Sequence, residues 1–559
     1  MTAQTKQAEQ VVGFALMICL FAAGALAQDR PAPGAELGRS PVLATRGMVA
    51  TSQPLAAAAG LRVLQEGGNA IDAAIATAAV LNVVEPMMCG IGGDLFALVY
   101  HDESAKLYGL NATGRAGSTS SAQWMRNEGY ERMPGSGIYA VTVPGAVDGW
   151  DQLLARFGTR SLADLLEPAI HYAEHGFPVS EIIATDWQGL EGKLSRHPAT
   201  AANYLIDGRA PRHGELFKSP DLAQTFRQLA DEGPQAFYKG SIAHKIADFI
   251  ESEGGFVTYE DMANHRSDWV EPISTTYKDV TLYQIPPNSQ GYVALEMLNI
   301  LEAFDLKSLG HNSAEYLHLL IEAKKLAFAD RNAYLADPSQ ANVPLDKLIS
   351  KEYAAERRQL IDRERAATEV EPADIDPTET VYLTVVDADR NVVSLIYSVY
   401  GSFGSGLVVP GTGIALQNRG TGYSLKPGHP NELAPGKRAL HTNMPGMVFK
   451  DGKPWLSYGV MGGDMQPQGH TQVLLNMLEF GMNVQEAGEA PRFRHFSDRN
   501  VGFESGIDID VLQQLIRKGH RPMTSMGAYG GYQAIMIDWE QSVLMGGSDV
   551  RKDGAAMGY

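Results

Sequence analysis

The chain has 559 residues, 44% of them hydrophobic, and carries a formal net charge of -19 at pH 7 from 46 Lys and Arg against 65 Asp and Glu. Such a length exceeds the roughly 250 to 300 residues at which one hydrophobic core stops growing, so two domains or one large layered core is expected. The acidic balance, with no basic stripe anywhere, sets nucleic acid aside as a partner, because that binding is driven by Lys and Arg displacing counterions from phosphates.

The first predicted element is a leader. Lys6 is followed by the apolar run VVGFALMICLFAAGALA, which ends in an A-x-A site at Ala25 and Ala27 and gives way to polar QDRPAPG. This is the pattern of a secretory signal peptide over 1–27, cut after Ala27. The alternative is a retained anchor helix, which needs about 20 apolar residues to span a bilayer, and the run is slightly short. The mature protein is therefore expected to be periplasmic or secreted, with no membrane partner after signal removal. Cys19 falls within the leader and leaves Cys89 alone, so no internal disulfide and no thiolate metal cage can form. Within apolar PMMCGIGG, Cys89 reads as a small buried hydrophobe rather than a nucleophile.

From Gln53 to Val84, Ala, Leu and Val recur at helical spacing with a break at Gly67 and Gly68, which predicts two helices joined by a glycine cap. The runs DLFALVYHD and KLYGL then alternate as strands. Helices are predicted near 160–175, 219–231 and 240–252, and a long one through SAEYLHLLIEAKKLAFADRNAYLAD, where Asn312 and Glu315 have capping-box spacing. His311 and His318 are seven apart there without a neighbouring third ligand, and read as surface or satisfied histidines. No metal site is expected.

The texture changes at EVEPADIDPTET. Glu369, Glu371, Asp374, Asp376 and Glu379, with two prolines and no basic residue, precede Thr380, where TVYLTVVDADRNVVSLIYSVY begins two β-rich runs across a turn. Hairpins are predicted to continue through GTGIALQN, GMVFKDGKPWLSYGV and YQAIMIDWEQSVLMGGSD, with helices near 470–482 and 508–518. Sheets inside and helices outside is the packing this order favours. Walker, Rossmann, H-E-x-x-H and G-x-S-x-G motifs are absent, and GSFGSG, Gly401 to Gly406, reads as a turn between strands.

A threonine opening a strand is ordinarily structural. An exposed, Pro-containing acidic segment, however, is where a chain can be cut without dismantling a core. A cut between Glu379 and Thr380 gives a threonine with a free α-amine, whose pKa of about 7.7 to 8.0 lets it take the hydroxyl proton near neutrality. Before the cut, the same hydroxyl can attack the Glu379 carbonyl in an N-to-O acyl shift, giving an ester that water opens.

The motifs GMVATSQPLAAAAGLRVLQEGGNAIDAAIATA, YAVTVPGAVDGW, TVYLTVVDADRNVVSLIYSVYGSFGSG and GGSDVRKDGAAMGY occur in that order. Together they make the chain resemble the γ-glutamyltranspeptidase (glutathione hydrolase) family of N-terminal nucleophile hydrolases over nearly all of its mature length. The resemblance implies an α+β fold, a four-layer αββα sandwich, made as a proenzyme. It implies autocleavage into a large subunit, 28–379, and a small catalytic subunit, 380–559, each the other's partner. It carries no cofactor.

By position, the resemblance makes Thr380 the nucleophile and puts Ser398 where the family has the threonine that holds the nucleophile's amine. Gly462 and Gly463 match the glycine pair whose amides form the oxyanion hole. The acyl-binding positions depart from the family. Its glutamine and aspartate read Arg419, beside Asn418, and Gly422, so the carboxylate that meets a substrate α-ammonium is missing. An asparagine becomes Tyr400, and the paired serines become His441 and Thr442. The carboxylate-binding arginine has Arg115 as its one candidate, about two positions displaced. Losing Asp and gaining Arg predicts a pocket about two charges more positive, favouring acyl groups with an unpaired carboxylate. The stretch from Tyr423 to Arg438 is short for a lid. These departures resemble the family's oxamate amidohydrolase and cephalosporin acylase relatives. The expected substrate is a small-molecule amide: a glutathione-like γ-glutamyl compound by resemblance, with water or an amino acid as acceptor, or else a dicarboxylic monoamide lacking the α-amine. A member that folds but never cleaves, serving in binding, is a third reading, which the presence of Thr380, Ser398 and the glycine pair opposes.

Overall fold

Side chains alternate faces along a strand, so a strand that is apolar on both faces must be covered on both. The strand Val381–Val386 is of this kind. Val381, Leu383 and Val385 enter one hydrophobic cluster, while Tyr382 and Val386 enter another, and every residue of the strand is buried. It therefore lies in a sheet with helices on one side and a second sheet on the other.

The computed structural model describes residues 38–368, 380–523 and 529–559. Contacts divide the chain into Met1–Ser40 and Pro41–Tyr559, and the layers of the fold belong to the second unit. The expected leader and the Glu379 side of the junction lie outside the described residues. Among the described residues, no helix is long and apolar enough to cross a membrane.

Two seven-stranded sheets make the centre. One runs in the order Ala555–Gly558, Met48–Thr51, Val381–Val386, Val392–Ser398, Asp94–His101, Lys106–Ala112, Asp268–Val270. The other runs Val42–Ala44, Val543–Ser548, Tyr532–Asp538, Lys453–Val460, Gly446–Lys450, Val280–Gln284, Ile273–Tyr277. All their pairings are antiparallel. Met48, Phe96, Tyr382, Ile396, Met447 and Ile535 pack between the sheets. The helices Pro54–Gln65, Ala70–Val84, Ala146–Phe157 and Leu162–His175 cover the first sheet. Gly291–Leu301, Ala314–Tyr334 and Met465–Phe480 cover the second. This is the four-layer αββα arrangement.

Both sheets mix strands from before and after Thr380. Val381–Val386 lies between Met48–Thr51 and Val392–Ser398, and the latter pairs in turn with Asp94–His101. A cut just before Thr380 therefore leaves these ladders intact. Close approach explains the glycine at the start of the Asp94 strand, since a Cβ on Gly93 would lie 2.3 Å from the Ser398 carbonyl oxygen. One local expectation is corrected. The long helix is capped by Ser313, whose side chain accepts from the Tyr316 amide, while Asn312 sits at a left-handed φ of 53° and donates its Nδ2 to Pro491 O.

Candidate active site

Val381 pairs with Tyr397, so one further step places Thr380 across from Ser398. Both have the parity of Tyr382 and Ile396 and therefore face the space between the sheets, at their end. Thr380 is 1% exposed, and its Oγ1 donates to Asn443 Oδ1 at 3.4 Å. Ser398 is buried. Its Oγ accepts from the Tyr400 amide at 3.0 Å and from Arg419 Nη2 at 3.2 Å.

Gly462 and Gly463 follow the strand Lys453–Val460 and lead into Met465–Phe480. With φ of 104° and 58° they hold a conformation that L side chains resist. Their carbonyls accept from Met465 and Gln466, so the pair sits at a helix N-terminus, where amides lack helical acceptors and the dipole is positive. Gln290 Nε2 donates to Gly463 O at 3.0 Å and to Thr442 O at 2.8 Å, tying the glycine turn to the segment that touches Thr380. Arg331, itself buried, fixes Gln290 Oε1 at 2.8 Å and Asp464 Oδ1 at 2.6 Å.

The acyl positions meet around Arg419. Its guanidinium lies 4.0 Å over the Tyr400 ring, and its Nη1 reaches Thr442 Oγ1 at 3.4 Å. Its Nε is 3.9 Å from Asp94 Oδ2, and that oxygen is also 3.4 Å from His441 Nε2. Asp94 Oδ1 accepts from the Gly114 amide and Gln417 Nε2. Burial raises the Asp94 carboxyl, but His441, Arg419 and the Gly114 amide outweigh it and hold it below the ordinary value. Burial and the Arg419 charge push His441 down to about 3 against the pull of Asp94. His441 Nδ1 accepts from the Asn443 amide, so the neutral ring turns its Nε2 proton toward Asp94. Burial lowers Arg419 to about 10, still cationic at neutral pH. The site thus holds one carboxylate, one guanidinium and a neutral imidazole.

The other expected residues lie around this centre. Asn418 Nδ2 donates to Gly135 O and its Oδ1 accepts from Gly401 N, so it pins the turn after Ser398. Arg115 is paired with Asp268 at 3.1 Å and donates to Arg266 O; Arg438 shares that carboxylate. Within Tyr423 to Arg438 the chain folds back on itself, Tyr423 Oη donating to Lys437 O. Cys89 is buried. His318 Nδ1 and His520 Nε2 are 2.8 Å apart, with Glu322 close by. Lys325 occupies that glutamate, and His318 Nε2 faces Asp362 O, so the cluster fastens the chain ahead of the acidic segment.

A sequence model of the Gamma-glutamyltranspeptidase family matches residues 56–559. The chain belongs to the γ-glutamyltranspeptidase family. It is similar to the glutathione hydrolase-like YwrD proenzyme of Bacillus subtilis, 41% identical over 527 residues, covering 92% of this chain and 99% of the relative. The oxamate amidohydrolase proenzyme of Klebsiella pneumoniae is 35% identical over 531 residues, covering 92% and 99%. Among solved structures, the cephalosporin acylase from Bacillus halodurans superposes with a TM-score of 0.89 at 44% identity, covering 96% of this chain and 99% of that one.

In this γ-glutamyltranspeptidase-family N-terminal nucleophile hydrolase, the fold brings Thr380, Ser398, Arg419, Tyr400, Thr442 and His441 into one contiguous cluster. Asp94, whose carboxylate stands beside Arg419 and offsets part of its charge, was missed by sequence reasoning. Its signal was an acid heading a strand of otherwise apolar residues, where burial demands a partner. Gln290 and Arg331, which organise the glycine turn, carried no local signal.

Proposed function

We propose that the precursor is exported and cuts itself between Glu379 and Thr380. We propose further that the mature enzyme hydrolyses amides whose acyl group ends in a carboxylate and lacks an α-ammonium, of the glutaryl or oxamate type. The carrying observation is Arg419, a buried cation one hydroxyl removed from the nucleophile position, held by contacts of only 3.2 to 3.9 Å. Such long contacts leave guanidinium donors able to turn to a substrate carboxylate. An α-ammonium would meet Gly422 where the family has a carboxylate, and would stand against Arg419. A charge left unpaired on desolvation costs several kcal/mol.

The chemistry follows from the groups present. In the precursor, Thr380 Oγ1 attacks the Glu379 carbonyl carbon, the amide becomes an ester, and water opens it. In the mature site the α-amine takes the Oγ1 proton as Oγ1 attacks the substrate amide. The developing oxyanion is met by the Gly462 and Gly463 amides, each such donor being worth about 10²–10³ in kcat. The ammonium returns its proton to the leaving amine, and water, deprotonated by the same amine, frees the acid from acyl-Thr380.

The γ-glutamyl reading has one observation in its favour, the carboxylate of Asp94, whose Oδ2 faces His441 Nε2 at 3.4 Å and Arg419 Nε at 3.9 Å and would have to exchange those neighbours for an ammonium. Hydrolysis of glutaryl and γ-glutamyl anilides by the mature enzyme separates the two. The glutaryl compound is expected to have a kcat/KM at least about tenfold higher; an equal or larger value for the γ-glutamyl compound would overturn the preference.

A further inference from the structure

We infer that Arg419, acting through Ser398, holds the α-amine of mature Thr380 in its free-base form. The inference rests on the reading of Thr380 as an N-terminal nucleophile and concerns how its base is tuned. A hydroxyl has one proton and two acceptor lone pairs. Ser398 Oγ accepts from the Tyr400 amide at 3.0 Å and from Arg419 Nη2 at 3.2 Å. With both lone pairs engaged, the hydroxyl can serve a third neighbour only by donating.

Carried one residue past the Val381–Tyr397 pair, the strand register sets Thr380 across from Ser398, and the third neighbour we assign is Thr380 N. A neutral amine offers a lone pair to a donated hydrogen bond, whereas an ammonium offers none. Ser398 is therefore matched to the amine that has lost its proton, and hydrogen bonding to one protonation state favours that state. In this chain a cation adds repulsion against an ammonium in the same direction.

The surrounding charges set the size of the effect. On the strand Asp94–His101, Asp94 stands 3.9 Å behind Arg419 and offsets part of its charge. On the segment leading to Gly446–Lys450, His441 is neutral and Asn443 faces Thr380 Oγ1. At the glycine turn, Asp464 is engaged by Arg331. Farther out, Asp268 is shared by Arg115 and Arg438. Arg419 is thus the cation coupled to the amine through a single hydroxyl, and Asp94 is its counterweight.

The test is the pH dependence of kcat/KM, which reports the free enzyme's base, measured on the glutaryl anilide after intact mass has verified two subunits. The wild-type acid limb is expected about one pH unit below the ordinary amine range of about 7.7 to 8.0. Arg419→Gln should move it up by about one unit, Asp94→Asn should move it down by removing the counterweight, and Arg419→Lys, which keeps the charge, should leave it near the wild type. Opposite shifts from two neighbouring residues are not the signature of a merely structural role. A wild-type limb at or above about 7.7, or shifts of the same sign in Arg419→Gln and Asp94→Asn, would overturn the inference. If Arg419→Gln remains uncut, the wild-type limb and the Asp94→Asn shift decide. The limb position is independent of the glutaryl to γ-glutamyl ratio, so either claim can fail alone.

Discussion

Arg419 and Arg492 are both among the largest fully buried side chains of the protein, and burial lowers both to about 10. Their surroundings differ in one respect. Arg492 donates to Gly488 O at 2.7 Å, Tyr529 O at 2.9 Å, Gly530 O at 3.1 Å and Asp549 Oδ2 at 2.7 Å. Asp549 also accepts from the Tyr532 amide and Arg551. Arg419 is held more loosely, its reach to Ser398, Thr442 and Asp94 running from 3.2 to 3.9 Å. A buried cation is tolerated when its donors are satisfied. Arg492 therefore spends its charge on the C-terminal GGSD motif. Arg419 holds donor capacity in reserve, which is what a receptor for an anionic acyl group requires.

The comparison breaks most clearly by substitution. Arg492→Met is expected to destabilise the protein by about 3–5 kcal/mol, because it leaves the buried Asp549 carboxylate with the longer Arg551 contact as its charged partner and takes the donor from the Tyr529 and Gly530 carbonyls. Arg419→Met should cost no more than about 2 kcal/mol while lowering kcat/KM for the glutaryl anilide by about tenfold or more. Urea unfolding midpoints read beside initial rates check both halves. If the two variants lose equal stability, the distinction between a spent and a reserved arginine is wrong.

A smaller effect sharpens the same contrast. Folded His441 has a pKa of about 3, against an ordinary value of 6.5. The unfolded chain therefore binds the proton first as pH falls, so the neutral ring's contribution is present above about 6.5 and is lost toward 3. The slope is at most about 1.4 kcal/mol per pH unit. His441→Gln lacks this effect, so its stability deficit relative to wild type should shrink between pH 6.5 and 4.5. Thermal midpoints of the pair across that range test it, and a deficit that grows on acidification contradicts a neutral His441.

Much of this was legible in the sequence. Where alternation was strong, as in Val381–Val386, Val392–Ser398 and Lys453–Val460, the strands fell where the pattern put them. The three strands from Asp268 to Gln284 were missed because Glu271, Pro272, Lys278 and Asp279 interrupt the apolar pattern, and two of them sit at sheet edges. The Asn312 cap failed by one residue because Ser313 offers an equivalent oxygen, and the φ of Asn312 decided between them. At the site, Thr380 announced itself through the composition just before it. Asp94 was concealed because its partners come from elsewhere in the chain, Gln417 being 323 residues away. Arg331 and Asp464, 133 residues apart, were likewise joined only by the fold. Local pattern reaches strands and turns; charge pairing across layers requires the packing.

Everything proposed for the site depends on Thr380 becoming an N-terminal nucleophile by the protein's own action. Intact mass of the purified protein beside Thr380→Ala tests it most directly. The account predicts two chains from the wild type, the smaller being residues 380–559, and one uncut chain from the variant. A wild type that stays whole on long incubation, a small chain beginning elsewhere, or a Thr380→Ala protein cut at the same bond would contradict it.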